Sequence, residues 1–202
     1  QETLTVTAES CCLKLANTYD IASVAYLEPG RNAFFGEDGK ALSADLYAEG
    51  FDEIGPVYLE RIYARHHRLP WKILETKRCI VQEFSMEWLP DLFSLYAGEG
   101  MTDYIEPLYE YEKEKEYQRA YIENMYCFYG FGMWIVRQKD TGKLIGRAGL
   151  ECREDLDGEM ELGYAIGVPW QNQGYAAEVC TEILSYAKEE LGVSKICCVI
   201  EP

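Results

Sequence analysis

Residues Met160–Val168 alternate, and the alternation is lopsided. One side carries Met160, Leu162, Tyr164, Ile166 and Val168; the other carries Glu161, Gly163, Ala165 and Gly167. A period of two marks a strand. A strand face of small residues with one carboxylate is a poor core face, but it lets a ligand approach the backbone. After Pro169–Gly174 an amphipathic helix runs from Tyr175 to about Leu191. It places Ala176, Val179, Cys180, Ile183, Leu184 and Ala187 on one face, with Gly192 as its stop. The apolar run Ile196–Ile200 then reads as a strand buried on both faces, as in a parallel pair. A strand, a crossover helix and a second strand in one sheet lie parallel. This unit is the tightest constraint on the chain: it demands an α/β architecture with a parallel pair.

The elements ahead of it extend the sheet. Lys77–Phe84, Met133–Lys139 and Leu144–Cys152 read as strands. Turns at Thr141-Gly142 and Asp155–Gly158 make the later ones antiparallel. Between the first two strands lie two helices. Ser85 caps one, whose apolar face is Leu89, Leu92, Phe93 and Tyr96. The other spans Glu110–Tyr129, with Tyr117, Ala120, Tyr121, Met125 and Phe128 on one side and Glu112, Glu114 and Glu116 on a solvated face. Gly98–Pro107 is a loop. Around Leu69-Pro70-Trp71 the pattern resets. Ahead of it stand a strand at Thr3–Thr7, a helix from a Ser10 cap to about Tyr19, and a strand at Ile21–Leu27 stopped by Pro29-Gly30. A loop at Arg31–Lys40, a short strand at Leu46–Ala48 and a helix at Pro56–Arg68 follow. The expected organisation is a small β-α-β module over residues 1–70 and a larger α/β domain over residues 71–202.

Charge and cysteine usage narrow the function. The formal net charge is −16, whereas a binder of nucleic-acid backbone needs surplus Lys and Arg; nucleic acid is not an expected partner. An acidic surface suits solubility or the gathering of a cationic amine. No run is long and apolar enough to cross a membrane and no charged-then-apolar leader opens the chain, so no membrane partner is expected. Of the eight cysteines, Cys11–Cys12 and Cys197–Cys198 are adjacent pairs and the rest are single. No C-x-x-C occurs, and His66 and His67 are not spaced like zinc ligands from a cysteine. The reading is a reduced, cytoplasmic protein with no metal.

The first turn of a helix has free N–H groups and the positive end of the dipole, so it binds anions. Gln171-Asn172-Gln173-Gly174-Tyr175-Ala176 stands at such a start, directly after the small-residue strand. The stretch Glu161–Glu178 resembles the acetyl-CoA signature of the GNAT N-acetyltransferases: Arg or Gln, two residues, Gly, one residue, then Gly or Ala. Gln171, Gly174 and Ala176 fit it. The likeness covers about residues 75–202 and is nearest the ribosomal-protein alanine acetyltransferase branch.

The resemblance implies the GNAT fold, a mainly antiparallel mixed sheet with a splayed parallel pair. It implies transfer of acetyl from acetyl-CoA to a primary amine of a small molecule or a protein N-terminus, by direct attack. The backbone of Ile166, Gly167 and Val168 would hold the pantetheine arm. The amides of Gln171, Asn172, Gln173, Gly174, Tyr175 and Ala176 would hold the pyrophosphate. Glu161 would be the base or water-holder, with Glu151 and Glu159 behind it; Glu178, one turn into the helix, reads as structural. The family's usual continuation after the last strand is not in the sequence, which implies a domain lacking its C-terminal end. The alternative is a CoA-binding or interaction protein that keeps the fold without turnover.

In the first 70 residues, Thr7-Ala8-Glu9-Ser10, Leu13, Ala16 and Ile21–Tyr26 weakly resemble a late segment of haloacid dehalogenase-like hydrolases. No D-x-D nucleophile motif accompanies it. The module is therefore read as non-catalytic, serving packing or homodimer contacts.

Overall fold

A computed structural model describes residues 3–28, 30, 33–52, 54–153 and 159–199. The turn expected at 155–158, Pro29, Arg31 and Ile200 lie outside the described residues. The chain divides into two compact units, Gln1–Trp71 and Lys72–Pro202.

The first unit is built on three parallel strands: β1 (Leu4–Thr7), β2 (Ala22–Tyr26) and β5 (Leu46–Ala48), in the order β1-β2-β5. Alternation along β2 sends its side chains to opposite faces. Ala25 packs with Leu13 of α1 (Ser10–Thr18), and Val24 packs with Ile62 of α2 (Pro56–His66). Helices on both faces are what parallel strands require. Two readings change here. Ser10 is the first helical residue rather than the cap: extended Glu9 precedes the helix, and its N–H donates to Thr7 Oγ1 at 3.0 Å. The supposed loop at 31–40 holds a two-residue strand, β3 (Phe34–Phe35), paired antiparallel with β4 (Ala41–Leu42) across a turn at Gly36–Gly39. Phe34 is fully buried beside Leu13, so the pairing anchors an aromatic plug that a loop-like composition does not reveal.

The second unit is a six-stranded mixed sheet in the order β11-β10-β9-β8-β7-β6. Its strands are β6 (Lys72–Glu75), β7 (Cys79–Gln82), β8 (Met133–Gln138), β9 (Leu144–Arg153), β10 (Glu159–Ile166) and β11 (Ile196–Cys197). All neighbours are antiparallel except β10 and β11, which run parallel. The strand expected at 77–84 is shorter, covering only β7, and β6 lies ahead of it: Thr76 N–H donates to Cys79 O at 2.9 Å, so Lys77 and Arg78 form the turn between β6 and β7. After a short 3₁₀ turn at Met86–Trp88 comes α3 (Leu89–Tyr96). The long helix is α4 (Tyr111–Tyr121) continued by a π-helical run, Ile122–Tyr129, that stops at left-handed Gly130.

Its buried stripe is Glu114, Gln118 and Tyr121, while Tyr117, Ala120 and Phe128 are exposed. The apolar stripe loses because Glu114 turns inward: it accepts Tyr109 N–H at 3.0 Å ahead of the helix and Gln118 Nε2 at 2.7 Å. A buried carboxylate so bonded is satisfied. The crossover helix α5 (Tyr175–Glu189) buries Tyr175, Val179, Ile183 and Ala187, leaving Leu184 exposed. Its Tyr186 meets Trp134 of β8 edge-on, so α5 covers that face of the sheet. β11 is an edge strand. Ile196 and Cys197 are half-buried and Cys198 and Val199 exposed, contrary to the two-sided burial expected of it.

Candidate active site

The parallel pair separates after two residues. Met160 pairs with Ile196 and Glu161 with Cys197; from Leu162 to Ile166, β10 keeps only its antiparallel partner β9. The gap opens into a cleft of about 860 Å³. Tyr164, Ala165 and Ile166 line it on the strand side, and Gly174, Tyr175 and Ala176 line it at the start of α5.

The loop between them is held by its own side chains. Gln171 Nε2 donates to Ile166 O at 2.9 Å and Gln173 Nε2 donates to Pro169 O at 2.7 Å. Asn172 (φ 57°) and Gly174 (φ 78°) are both left-handed. Gly174 caps the helix with no side-chain bond, so the first-turn amides of α5 have no side-chain cap. Alternating left-handed residues at a helix start turn N–H groups into one concavity, an anion-binding arrangement.

A cation stands beside this loop. Arg78 in the β6–β7 turn donates through Nη1 to Gln173 O at 3.0 Å, and its guanidinium lies 4.0 Å over the Tyr175 ring. Nη2 is 3.7 Å from the point where a Cβ on Gly174 would stand. Glu178 fixes Arg78 from the first turn of α5. It accepts Arg78 Nε at 2.6 Å, Arg78 N–H at 2.7 Å and the Thr76 hydroxyl at 2.6 Å. Burial pushes the Glu178 carboxyl up, but these donors outweigh it and hold it below the usual carboxylate range.

The far end of β10 is different. Glu161 stands directly opposite Glu151 on β9. Like charges in that position repel, and each is met by a separate partner. Arg153 Nη1 donates to Glu161 Oε2 at 2.7 Å. The Tyr121 hydroxyl donates to Glu151 Oε1 at 2.8 Å while accepting Met133 N–H at 2.7 Å. Burial, then the Glu151 charge, pushes the Tyr121 phenol well above its ordinary value, so it remains a donor. Both carboxylates line a second cleft of about 610 Å³. The two clefts share Tyr104, Ile105, Tyr164 and Ala165 as a common wall. Glu159 is taken by Lys195.

A family model described as "Acetyltransferase (GNAT) domain" matches residues 78–202. The chain belongs to the GNAT acetyltransferases. It is an acyltransferase by family. The N-acetyltransferase YoaA of Bacillus subtilis (strain 168) is 29% identical over 135 residues, which are 63% of this chain and 73% of that one. Among solved structures, an acetyltransferase from Agrobacterium tumefaciens str. C58 aligns with TM-score 0.53 and 22% identity, over 64% of this chain and 74% of that one. RimL, a ribosomal L7/L12 alpha-N-protein acetyltransferase, aligns with TM-score 0.55 and 11% identity, over 64% of this chain and 71% of that one. These neighbours share the fold.

Set on this GNAT frame, the sequence-derived residues divide. Ile166, Val168, Gln171, Asn172, Gly174, Tyr175 and Ala176 line the larger cleft. Gln173 has its side chain on Pro169 and its carbonyl on Arg78. Gly167 is occupied: its N–H donates to Ile145 O, its carbonyl accepts Trp170 N–H, both at 2.8 Å, and a Cβ there would stand 2.4 Å from Leu95 Cδ1. Glu151, a lesser candidate from the sequence, enters the second cleft, whereas Arg78 and Tyr121 have no local signal to single them out. Their places depend on contacts with residues 30 to 100 positions away.

Proposed function

We propose that this chain transfers acetyl from acetyl-CoA to a primary amine, on a small molecule or a protein N-terminus. The observation that carries the reading is the parting of β10 from β11 directly ahead of a left-handed turn and the uncapped start of α5. Alternate residues of an edge strand turn their amides outward. Gly167 N–H faces β9, so the outward backbone is that of Tyr164 and Ile166; these pair with the pantetheine amides, and Gly167 serves close packing. The pyrophosphate rests on the amides of residues 172–176, with Arg78 at its side.

The acceptor enters the second cleft and meets the thioester near the shared wall at Tyr164 and Ala165. The amine nitrogen attacks the carbonyl carbon; the nitrogen of the tetrahedral intermediate loses a proton to water, the intermediate collapses, the C–S bond breaks, and CoA leaves as a thiolate that takes a proton from solvent. An ammonium has no lone pair, so a base takes its proton first. Glu161 is held to a cation, whereas Glu151 is held to a neutral phenol. The proton therefore passes to Glu151, and Glu161, anchored by Arg153, forms the facing wall that keeps the amine or a water between the carboxylates. Unit 1 takes no part in this step.

The test is calorimetric titration of acetyl-CoA into the chain, followed by CoA release over a panel of amines and N-terminal peptides. Micromolar binding with amine-dependent CoA release is the expected result. Binding without release from any amine overturns the catalytic reading, and absence of binding overturns the cleft assignment.

A further inference from the structure

The first unit brings three metal-binding side chains to one point. Glu9 precedes α1, and Cys11 and Cys12 occupy its first turn. Cys11 Sγ lies 3.4 Å from Glu9 Oε2 and 4.0 Å from Cys12 Sγ, and one ligand atom of each residue lies within 4.8 Å of the others. Two sulfurs on one tetrahedral ion with bonds of about 2.3 Å stand about 3.8 Å apart, and a sulfur and an oxygen about 3.6 Å apart. The observed separations are thus close to the edges of one coordination tetrahedron. Among the described residues this is the only such convergence of His, Cys, Asp or Glu.

The scaffold holds the donors in place. Glu9 is pinned on both sides: its N–H donates to Thr7 Oγ1, and its carbonyl accepts Leu13 N–H at 3.1 Å. Leu13 is fully buried beside Ala25 and Phe34, which fixes the rotation of the helix and leaves Cys11 exposed and Cys12 half-exposed. Cysteine–histidine spacing does not reveal this point, because a residue just ahead of a helix and two adjacent first-turn residues form it.

We propose that Glu9, Cys11 and Cys12 bind one soft divalent cation of the zinc or cadmium type, with a fourth position left to solvent. Two thiols select such ions over magnesium or calcium, which prefer oxygen ligands. On binding, each thiol gives its proton to water and forms a metal–sulfur bond, and the carboxylate donates an oxygen pair. Two thiolates and a carboxylate leave an open site on an exposed surface, which suits capture and exchange of an ion rather than a closed structural role.

The test uses the full chain, fully reduced, titrated with cadmium and followed by thiolate-to-metal charge-transfer absorbance. The expected result is that the number of tightly bound ions falls by one in Cys11→Ser/Cys12→Ser and is unchanged in Cys197→Ser/Cys198→Ser, the other adjacent pair. Glu9→Gln is expected to weaken binding by at least about tenfold, the loss typical of disturbing even a supporting partner. Far-ultraviolet circular dichroism confirms that the serine variants keep the fold. An unchanged ion count in folded Cys11→Ser/Cys12→Ser, or no bound ion in the unmodified chain, overturns the proposal.

Discussion

The two ends of β10 are built from opposite materials. At one end Glu161 faces Glu151, and the strand is closed by β11. At the other end the strand stands free and runs into a left-handed turn, an uncapped helix start and an arginine. One end concentrates negative charge and the other concentrates backbone N–H groups and a guanidinium. Tyr164 and Ala165 sit between, on the wall that both clefts share. A chain with net charge −16 therefore still gathers backbone N–H groups and a guanidinium, itself paired with Glu178, at the start of α5. The lesson is that overall charge says little about a cleft; the polarity is set residue by residue along one strand.

Substitutions at either end should break this contrast unequally. The largest expected effect is at the acidic end: Glu151→Gln lowers kcat by about 10²–10⁴-fold, the range for loss of a general base, with acetyl-CoA affinity retained. Glu161→Gln, its partner Arg153 intact, should cost less. Stopped-flow or steady-state CoA release across pH compares them, and a deeper loss in Glu161→Gln would return the base to Glu161. Next comes Gly174→Asp at the other end. Asp tolerates a left-handed backbone better than most residues, so the damage is electrostatic: acetyl-CoA affinity should fall by about 100-fold, or about 2.7 kcal/mol. Gly174→Asn keeps the shape without the charge and should retain most of the binding; equal losses in the two would mean that backbone strain, not repulsion, governs the turn.

Arg78→Gln removes a charge-assisted contact, generally about 1.5–3 kcal/mol. A rise of about tenfold in the dissociation constant is expected by calorimetry, with little change in kcat at saturation. No change would place Arg78 outside the anion site. A smaller effect belongs to Tyr121→Phe, which unpairs Met133 N–H and frees Glu151 from its donor. It should cost about 1 kcal/mol of stability and lower kcat several-fold, because the carboxylate that takes the proton loses the contact that positions it. An unchanged kcat would separate Tyr121 from the chemistry.

The smallest effect is on stability against pH. The folded Glu178 carboxyl titrates below its unfolded value, so its contribution is present above about pH 4.5 and is lost as pH falls through the folded value. Glu178→Gln should flatten that acid limb in denaturant unfolding; an unchanged limb would assign acid sensitivity elsewhere.

Much of this was legible in residue order, because the decisive elements are local. The small-residue strand, the glycine turn and the helical period of residues 175–189 each act within a few positions, and together they implied the parallel pair. The exact parting of the strands was not legible from periodicity, since β11 pairs for only two residues and leaves Cys198 and Val199 exposed. Arg78 was hidden at the start of an apparent strand, because residues 77 and 78 belong to a hydrogen-bonded turn at Thr76–Cys79 and Glu178, 100 positions on, aims Arg78. Glu114 reads as solvent-facing by charge alone. Its burial follows from an amide five residues earlier that needed an acceptor. Polar residues misled wherever a distant or non-helical donor had to be satisfied.

The free stretch of β10 also bears on solubility. An unpaired strand edge is a template for a foreign strand, and proteins usually blunt such edges with charge, proline or a covering loop. Here the outward backbone of Tyr164 and Ile166 lies in an open cleft, beside an exposed Tyr164 ring. A molecule seated there with amides of its own completes the sheet as a missing strand would. On the proposed acetyl-CoA reading, the ligand covers the edge as well as reacting, and the unliganded chain is expected to be the form that self-associates more readily through that gap.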